Sequence, residues 1–185
     1  MTEGVGVFVI DPPWPQRKGG LRSARPNQGR SLDYNTMSIP DIFRVLDQDV
    51  LCHAVPSHSV FLWGVDKFLV DGEREMLARG YKMHCRLIWD KGNGIAPAFT
   101  VRFSHEYVTW FYKGGLPKIQ KSMRGVEKTV FHEKSRQHSR KPGFLYNMID
   151  RLYPDLVKMD VFSRESRDGW LCYGDEVGKF DKGKS

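Results

Sequence analysis

The sequence predicts one α/β domain, in which a mostly parallel sheet carries helices on both faces. Short apolar runs of strand length alternate along the chain with segments that carry helix-start and helix-stop signals. A chain of 185 residues is long enough for one well-buried domain and too short for two of ordinary size. Residues 1–178 are therefore expected to form a single domain, followed by a disordered Lys-rich tail at 179–185.

The first predicted strand is the apolar run Val5–Ile10, and an Asp-Pro-Pro-Trp motif follows it directly at residues 11–14. The two prolines fix two consecutive φ angles and remove two backbone donors, so we expect the local carbonyls to be free to accept other hydrogen bonds. Residues 12–36 are polar, basic and rich in glycine, and they are predicted to form a long mobile loop.

The rest of the chain supplies further helices and strands. Ser38 is a candidate cap for a helix at 39–47, with Pro40 in its first turn. Helices are also predicted at 71–79, where Gly80 is the stop signal, and at 143–152 before a proline. The remaining strands are predicted at 60–63, 85–89, 107–112, 158–163 and 170–173.

The charge of the chain indicates an anionic partner, nucleic acid first. Twenty-nine Lys and Arg residues against 22 Asp and Glu residues give a net charge of +7. The cations concentrate in two blocks, residues 12–31 without any acid and the segment 113–141 with only two acids. Each block is either a solvated basic loop or a phosphate-binding segment, and their number favours the second interpretation.

Several function classes lack their sequence signals. No Gly-x-Gly-x-x-Gly fingerprint, Walker loop or nucleophile elbow is present. No His and Cys spacing fits a closed zinc site, so no metal is expected. No stretch is long and apolar enough for a membrane span, and the N-terminus lacks a signal pattern. Cys52, Cys85 and Cys172 are scattered, so we expect them reduced and buried in a cytoplasmic protein.

The Asp-Pro-Pro-Trp motif has two interpretations. Asp11 follows the first strand, and open α/β sheets bind ligands at the carboxyl ends of their strands. A carboxylate, acceptor carbonyls and the aromatic face of Trp14 suit a planar ligand that carries an amino group. The alternative is an ordinary strand-to-loop turn with a core tryptophan.

Six segments, in order, resemble one family. The motif at 11–14 looks like motif IV of the amino-methyltransferases that use S-adenosylmethionine. The others are Phe61-Leu-Trp63; Tyr81 with Leu87-Ile-Trp-Asp-Lys91; Arg102 with His105-Glu106; Ser139-Arg-Lys-Pro142 with Tyr146; and Lys158-Met-Asp-Val-Phe-Ser-Arg164 with Gly169-Trp170 and Gly174. The chain is identified as a member of the family of the messenger-RNA N6-adenosine methyltransferase catalytic subunit and its bacterial and phage DNA-modifying relatives. The resemblance extends from Val7 to about Val177.

The resemblance implies a Rossmann-like methyltransferase fold in circularly permuted order, with the Asp-Pro-Pro-Trp segment before the cofactor segment. It implies S-adenosylmethionine as the cofactor and Asp11, Pro12, Pro13 and Trp14 as catalytic residues. The Asp11 carboxylate and the Pro12 carbonyl would each accept one N–H of the adenine amine and aim its lone pair at the methyl group. Trp14 would stack on the flipped base or wall it in.

The resemblance also implies two sets of binding residues. Lys141 would reach the cofactor carboxylate, residues near Asp160 its ribose, and Asp175-Glu176 its adenosine part. The full cofactor set is Ile10, Asp11, Lys141, Asp160, Arg164, Ser166, Arg167, Asp175 and Glu176. The expected substrate set is Arg17, Lys18, Arg22, Tyr34, Lys121 and Arg124. Ser163 in place of the usual glycine and the acidic Asp175-Glu176 depart from the family pattern, and each charged residue has the alternative of being a surface charge at a strand end.

The chain is therefore predicted to be an adenine N6-methyltransferase that flips its base and acts on nucleic acid, with DNA preferred over RNA. The preference rests on the compact length and the lack of RNA-binding appendages. The alternatives are an RNA N6-adenosine methyltransferase, a DNA cytosine-N4 methyltransferase and a non-catalytic nucleic-acid-binding subunit. A homodimer, or a heterodimer with a related subunit, is expected, in the cytoplasm of a prokaryote or encoded by a phage and without membrane contact.

Overall fold

A computed structural model describes residues 4–15, 35–95, 101–136 and 140–181. The strands in these ranges are β1 (Val5–Ile10), β2 (Ala54–Gly64), β3 (Lys82–Ile95), β4 (Phe103–Lys113), β5 (Val130–His132), β6 (Lys158–Val161) and β7 (Trp170–Tyr173). The seven strands described form one sheet in the order β5-β3-β4-β2-β1-β6-β7. Four of the six pairings are parallel, and β4 runs antiparallel to both of its neighbours. The predicted α/β fold with a mostly parallel sheet is confirmed.

The centre of the sheet is β1, which is buried on both faces. All six of its residues are buried, as expected for a parallel strand covered on both sides. Val7 and Val9 belong to the core on one face, and Phe8 and Ile10 to the core on the other. The carboxyl end of β1 therefore lies within the sheet edge that is formed by the carboxyl ends of the parallel strands, with β2 on one side and β6 on the other.

Three helices cover the two faces: α1 (Ile39–Val45) and α2 (Asp66–Ala78) pack on the face of Phe8, and α3 (Gly143–Leu152) on the face of Val7. The predicted cap of α1 is confirmed, since Oγ of Ser38 accepts the backbone N–H of Asp41 at 3.2 Å. The chain continues from α1 into one wider π-helical turn at Leu46–Val50.

Four of the observed elements, α2, β2, β3 and β4, are longer than predicted, and the short strand β5 was not predicted. Helix α2 begins at Asp66, five residues before the predicted start. Gly72 lies inside the helix, where a Cβ would come 2.9 Å from the ring of Trp14. Strand β3 extends on both sides of the predicted 85–89. Its exposed polar residues, such as His84 and Arg86, alternate with buried ones, so the apolar run marked only its most buried part.

Two expectations at the surface are wrong in part. Residues 179–181 are packed on the domain, since the N–H of Phe180 donates to the Arg164 carbonyl at 2.9 Å and a carboxylate oxygen of Asp181 accepts the Ser166 N–H at 2.9 Å. Cys52 is exposed because it lies in the turn between α1 and β2, although all three thiols are free. The tail at 182–185 and most of the predicted mobile loop, 16–34, lie outside the described residues. No helix in the described part of the chain is long and apolar enough to cross a membrane.

Candidate active site

A cavity of about 530 Å³ opens at the carboxyl ends of β1 and β6. These strands are parallel neighbours, and the N–H of Asp11 donates to the Val161 carbonyl at 3.1 Å, which fixes the start of the turn after β1. The lining includes Asp11, Pro13, Met37, Phe162, Arg164 and Glu176. Its volume lies in the range of small-molecule and cofactor sites, and its position is where open α/β sheets bind ligands.

The carbonyls of the two prolines are engaged by backbone donors. The Trp14 N–H donates to the Pro12 carbonyl at 2.8 Å, and the Met37 N–H donates to the Pro13 carbonyl at 2.9 Å. The expectation that these carbonyls are free is wrong, because the turn folds back on itself and meets the segment before α1. Each carbonyl oxygen keeps one further lone pair, and Pro13 lines the cavity whereas Pro12 is buried.

Trp14 lies in the core with 5% of its surface exposed. Its ring stacks on Phe68 with centroids 5.7 Å apart, and its Nε1 donates to the Trp63 carbonyl at 3.2 Å. As placed, the ring has no open face for a base. It holds the Asp-Pro-Pro-Trp turn against α2 and β2.

A row of alternating charges runs away from Asp11. Lys141 Nζ lies 3.2 Å from Oδ1 of Asp11 and 2.8 Å from Oε2 of Glu106. The other oxygen of Glu106, Oε1, accepts from Lys91 Nζ at 3.0 Å. The Lys141 ammonium also lies 4.7 Å from the centroid of the Trp63 ring, in cation–π range. Among the described residues, Oδ2 of Asp11 has no hydrogen-bond partner.

Burial and neighbouring charges set the ionisation of this row. Burial raises the pKa of Asp11 against the opposing effect of Lys141. Burial alone would raise the pKa of Glu106, but the ammonium groups of Lys141 and Lys91 hold it at about 2. Burial alone would lower the pKa of Lys141, and the carboxylates of Asp11 and Glu106 raise it instead. At neutral pH the row therefore holds a charged Lys141 against a fully ionised Glu106.

A second carboxyl group lies on β6, beside the first. Burial raises the pKa of Asp160 to about 7 against the effect of Arg167, whose Nε is 3.6 Å away. Tyr146 donates its hydroxyl to Oδ1 of Asp160 at 3.2 Å, and Ser163 Oγ lies 3.0 Å from Oδ2. The serine that replaces the usual glycine of the family therefore serves as a partner for this carboxyl group.

The chain leaves β6 through an unusual backbone conformation. Phe162 has a φ of 59°, in the left-handed region, and a Cβ on Gly174 would come 2.9 Å from its Cα. Such strain in a residue with a bulky side chain is typical of a functional site. It places Phe162 in the lining of the cavity.

Seven of the nine predicted cofactor residues line one or both of two neighbouring cavities. Asp11, Lys141, Asp160, Arg164 and Arg167 surround a small second cavity beside the large one, and Asp175 and Glu176 line the large one together with Arg164. Ile10 and Ser166 lie away from both linings, because Ile10 is fully buried in the core and Ser166 is exposed.

Of the predicted substrate residues, the structure describes Lys121 and Arg124, and it places neither of them beside Asp11. Lys121 and Arg124 are exposed in the connection between β4 and β5, where the neighbouring Gln120 N–H donates to the carbonyl of Leu152 at the last residue of α3. Lys141 lies two residues before the first residue of α3, so Gln120 and Lys141, both in the predicted basic segment 113–141, lie at opposite ends of this helix. Arg17, Lys18, Arg22 and Tyr34 lie outside the described residues.

Three charged residues of the site were missed as site residues. Glu106 and Lys91 occurred only as parts of the family resemblance, and their contact depends on the antiparallel register that pairs Trp89 with Glu106. Glu133 gave no signal. Its two carboxylate oxygens accept the first backbone N–H groups of α3, from Gly143 at 3.0 Å and Phe144 at 2.8 Å.

Comparison with known proteins matches almost the whole chain to one family. Residues 5–176 match the family model MT-A70. An MT-A70-like protein of Medicago truncatula is 30% identical over 183 residues, which cover 93% of this chain and 26% of the relative. An MT-A70-like N(6)-adenosine-methyltransferase of Arabidopsis thaliana is 28% identical over 185 residues, which cover 93% of this chain and 24% of the relative. The type II methyltransferase M.MunI of a Mycoplasma species is 23% identical over 185 residues, which cover 92% of this chain and 77% of the relative. The chain spans about a quarter of the length of the plant relatives.

Proposed function

The chain belongs to the MT-A70 family, and we propose that it is an S-adenosylmethionine-dependent methyltransferase that modifies the N6 amine of adenine in nucleic acid. One observation carries this proposal. Asp11 lines the large cavity at the carboxyl end of β1, with Oδ1 held by Lys141 and Oδ2 without a partner among the described residues. An ionised carboxylate held in this way is an acceptor for an amine that enters the cavity.

The residues present fit the proposed cofactor. An amino acid carries an ammonium and a carboxylate, and this edge of the sheet offers the carboxyl groups of Asp11 and Asp160 beside the ammonium of Lys141. Glu176 and the ring of Phe162 line the adjoining cavity, where they would meet the ribose and adenine. Bound there, the cofactor supplies an electrophilic methyl group.

The work of the chain is then to position and polarise the acceptor amine. Oδ2 of Asp11 and the remaining lone pair of the Pro12 carbonyl each accept one N–H of the amine, which draws its nitrogen away from conjugation with the ring. The adenine amine becomes acidic once it is alkylated, and its proton passes to Oδ2 of Asp11. Lys141 on Oδ1 favours the ionised form of Asp11, against the burial that raises the pKa of this carboxyl group.

Nucleic acid is supported as the substrate by the basic character of the chain and by its relatives. We take DNA as the first substrate, because M.MunI is a type II methyltransferase, and RNA as the second, because the Arabidopsis relative is an N(6)-adenosine-methyltransferase. Base flipping, a dimeric assembly and a cytoplasmic setting in a prokaryote or phage-infected cell belong to the same proposal. A base inside a duplex cannot reach a carboxylate at the bottom of a cavity unless it leaves the stack.

The test is transfer of labelled methyl groups from S-adenosylmethionine to unmodified DNA and RNA, followed by digestion to nucleosides. We expect label in N6-methyladenine, with more in DNA than in RNA. Label in N4-methylcytosine would move the assignment to the cytosine alternative, and more label in RNA would reverse the substrate preference. No transfer to either polymer, with cofactor binding absent by calorimetry, would support the non-catalytic subunit instead.

A further inference from the structure

Four cations form a strip on the connection between β4 and β5. Lys118, Lys121, Arg124 and Lys128 are all exposed, and none of them makes an ion pair with another described residue. The one acid between them, Glu127, is bound by Arg151 of α3 at 2.7 Å. The strip therefore presents four positive charges to solvent without a compensating carboxylate of its own.

The backbone beneath the strip is fixed to the domain. The Gln120 N–H donates to the Leu152 carbonyl at 2.8 Å, and the Tyr153 hydroxyl donates to the Pro117 carbonyl at 3.4 Å. Ile119 and Met123 pack against the core on the α3 face. Ile119 and Met123 are thus partly buried against the domain, while the four cations are exposed. Cations on a fixed backbone lose less freedom on binding than cations on a mobile loop.

The strip lies too far from Asp11 for a single nucleotide to contact both. Helix α3 has ten residues, which span roughly 15 Å at 1.5 Å per residue. Lys141 lies before its first residue, and Gln120 of the strip is bonded to its last. Successive phosphates of one strand are about 3.4 Å apart along a duplex, so roughly five nucleotides separate the two places.

We propose that the strip of Lys118, Lys121, Arg124 and Lys128 binds the sugar–phosphate backbone of the substrate about five nucleotides away from the base that is methylated. The inference rests on the proposed function only in that nucleic acid is the substrate. Contacts of this kind fix the register of the polymer and add affinity without reading sequence. The strip would thus supply part of the affinity for nucleic acid that a small domain with one base pocket needs.

The test compares two double variants by fluorescence anisotropy with a 24-base-pair DNA duplex that contains a central adenine. Lys121→Gln/Arg124→Gln removes two charges from the strip, and Arg44→Gln/Arg74→Gln removes two exposed charges from α1 and α2. Binding of each is measured from 50 to 200 mM salt. The strip variant is expected to lose between one and two from the slope of log K against log salt, since each phosphate contact contributes about 0.9. The control variant is expected to keep the wild-type slope. Thermal melting checks that both variants fold.

The outcomes separate this inference from the proposed function. A strip variant with the wild-type slope and affinity overturns the inference even if methyl transfer to DNA proceeds, and it would leave an acidic protein surface as the partner of the strip. A reduced slope without any methyl transfer by the wild type supports the strip and rejects the proposed activity. No binding of DNA or RNA by the wild type overturns both. Methylation gives a second measure: the loss of kcat/KM in the strip variant should be smaller when the adenine lies in a six-nucleotide substrate than in the 24-mer.

Discussion

Glu106 determines the charge of the site through its neighbours. It lies between Lys91 and Lys141. Among the described residues, it is the one acid of β4 that forms an ion pair with the Lys141 ammonium beside Asp11. The two ammonium groups outweigh the burial of Glu106 and hold its pKa at about 2, against an ordinary value of 4.5. Without this carboxylate, Lys141 would keep only its ion pair with Asp11, and Lys91 would lose its ion pair with Glu106.

Glu106→Gln is therefore expected to destabilise the protein by about 3 kcal/mol at pH 7, the equivalent of the depressed pKa, and to lower Tm by roughly 6–12 °C. Because the folded pKa is below the unfolded one, this contribution is present above about pH 4.5 and is lost as the pH falls towards 2. Thermal melting of both proteins from pH 7 to pH 3 measures it. Glu75→Gln, which breaks a half-exposed pair with Arg79, is the control and should cost no more than about 1 kcal/mol. Equal melting of Glu106→Gln and the wild type at pH 7 would contradict this assignment.

At the scale of elements, α3 is the part that places Lys141. Pro142 at its start offers no side-chain cap, and Glu133 replaces one with both carboxylate oxygens. The guanidinium of Arg136 donates to the Lys141 carbonyl at 2.9 Å and lies 3.8 Å from Glu133. A negative charge at this helix end is also favoured by the helix dipole. The chain between β5 and α3 thus holds Lys141 from both sides.

Glu133→Ala should cost about 1–2 kcal/mol of stability, as for the loss of a helix cap, and should weaken cofactor binding through Lys141. Glu133→Gln keeps one acceptor oxygen and should recover part of both losses. Calorimetry with S-adenosylmethionine and thermal melting measure the two effects. Arg151→Gln, which breaks the pair with Glu127 at the other end of α3, is the control for stability alone. If Glu133→Ala and Arg151→Gln bind the cofactor equally well, Glu133 has no role in positioning Lys141.

At the scale of the whole molecule, the sequence predicted six of the seven described strands and the position of Asp11, because both depend on local signals, the apolar runs and the prolines. The three-residue strand β5 was not predicted. It could not predict the contacts that depend on pairing between distant strands. Glu106 meets Lys91 only through the antiparallel register of β3 and β4, and Trp14 turns to the core because Gly72 of α2 leaves room for its ring. The basic segment 113–141 is continuous in sequence, but Gln120 and Lys141 within it lie at opposite ends of α3. Nothing local in the sequence indicates that separation.

The central claim is that the Asp11 carboxylate at the end of β1 receives the adenine amine. The most direct test is the single-turnover rate of N6-methyladenine formation in DNA, measured by mass spectrometry of nucleosides at saturating cofactor, for the wild type and Asp11→Asn. Asp71→Asn on the exposed face of α2 serves as the matched control. The carboxylate account predicts a loss of about 100-fold or more for Asp11→Asn, since an amide donor replaces an acceptor, and no loss for Asp71→Asn. An Asp11→Asn rate equal to that of the wild type would contradict it.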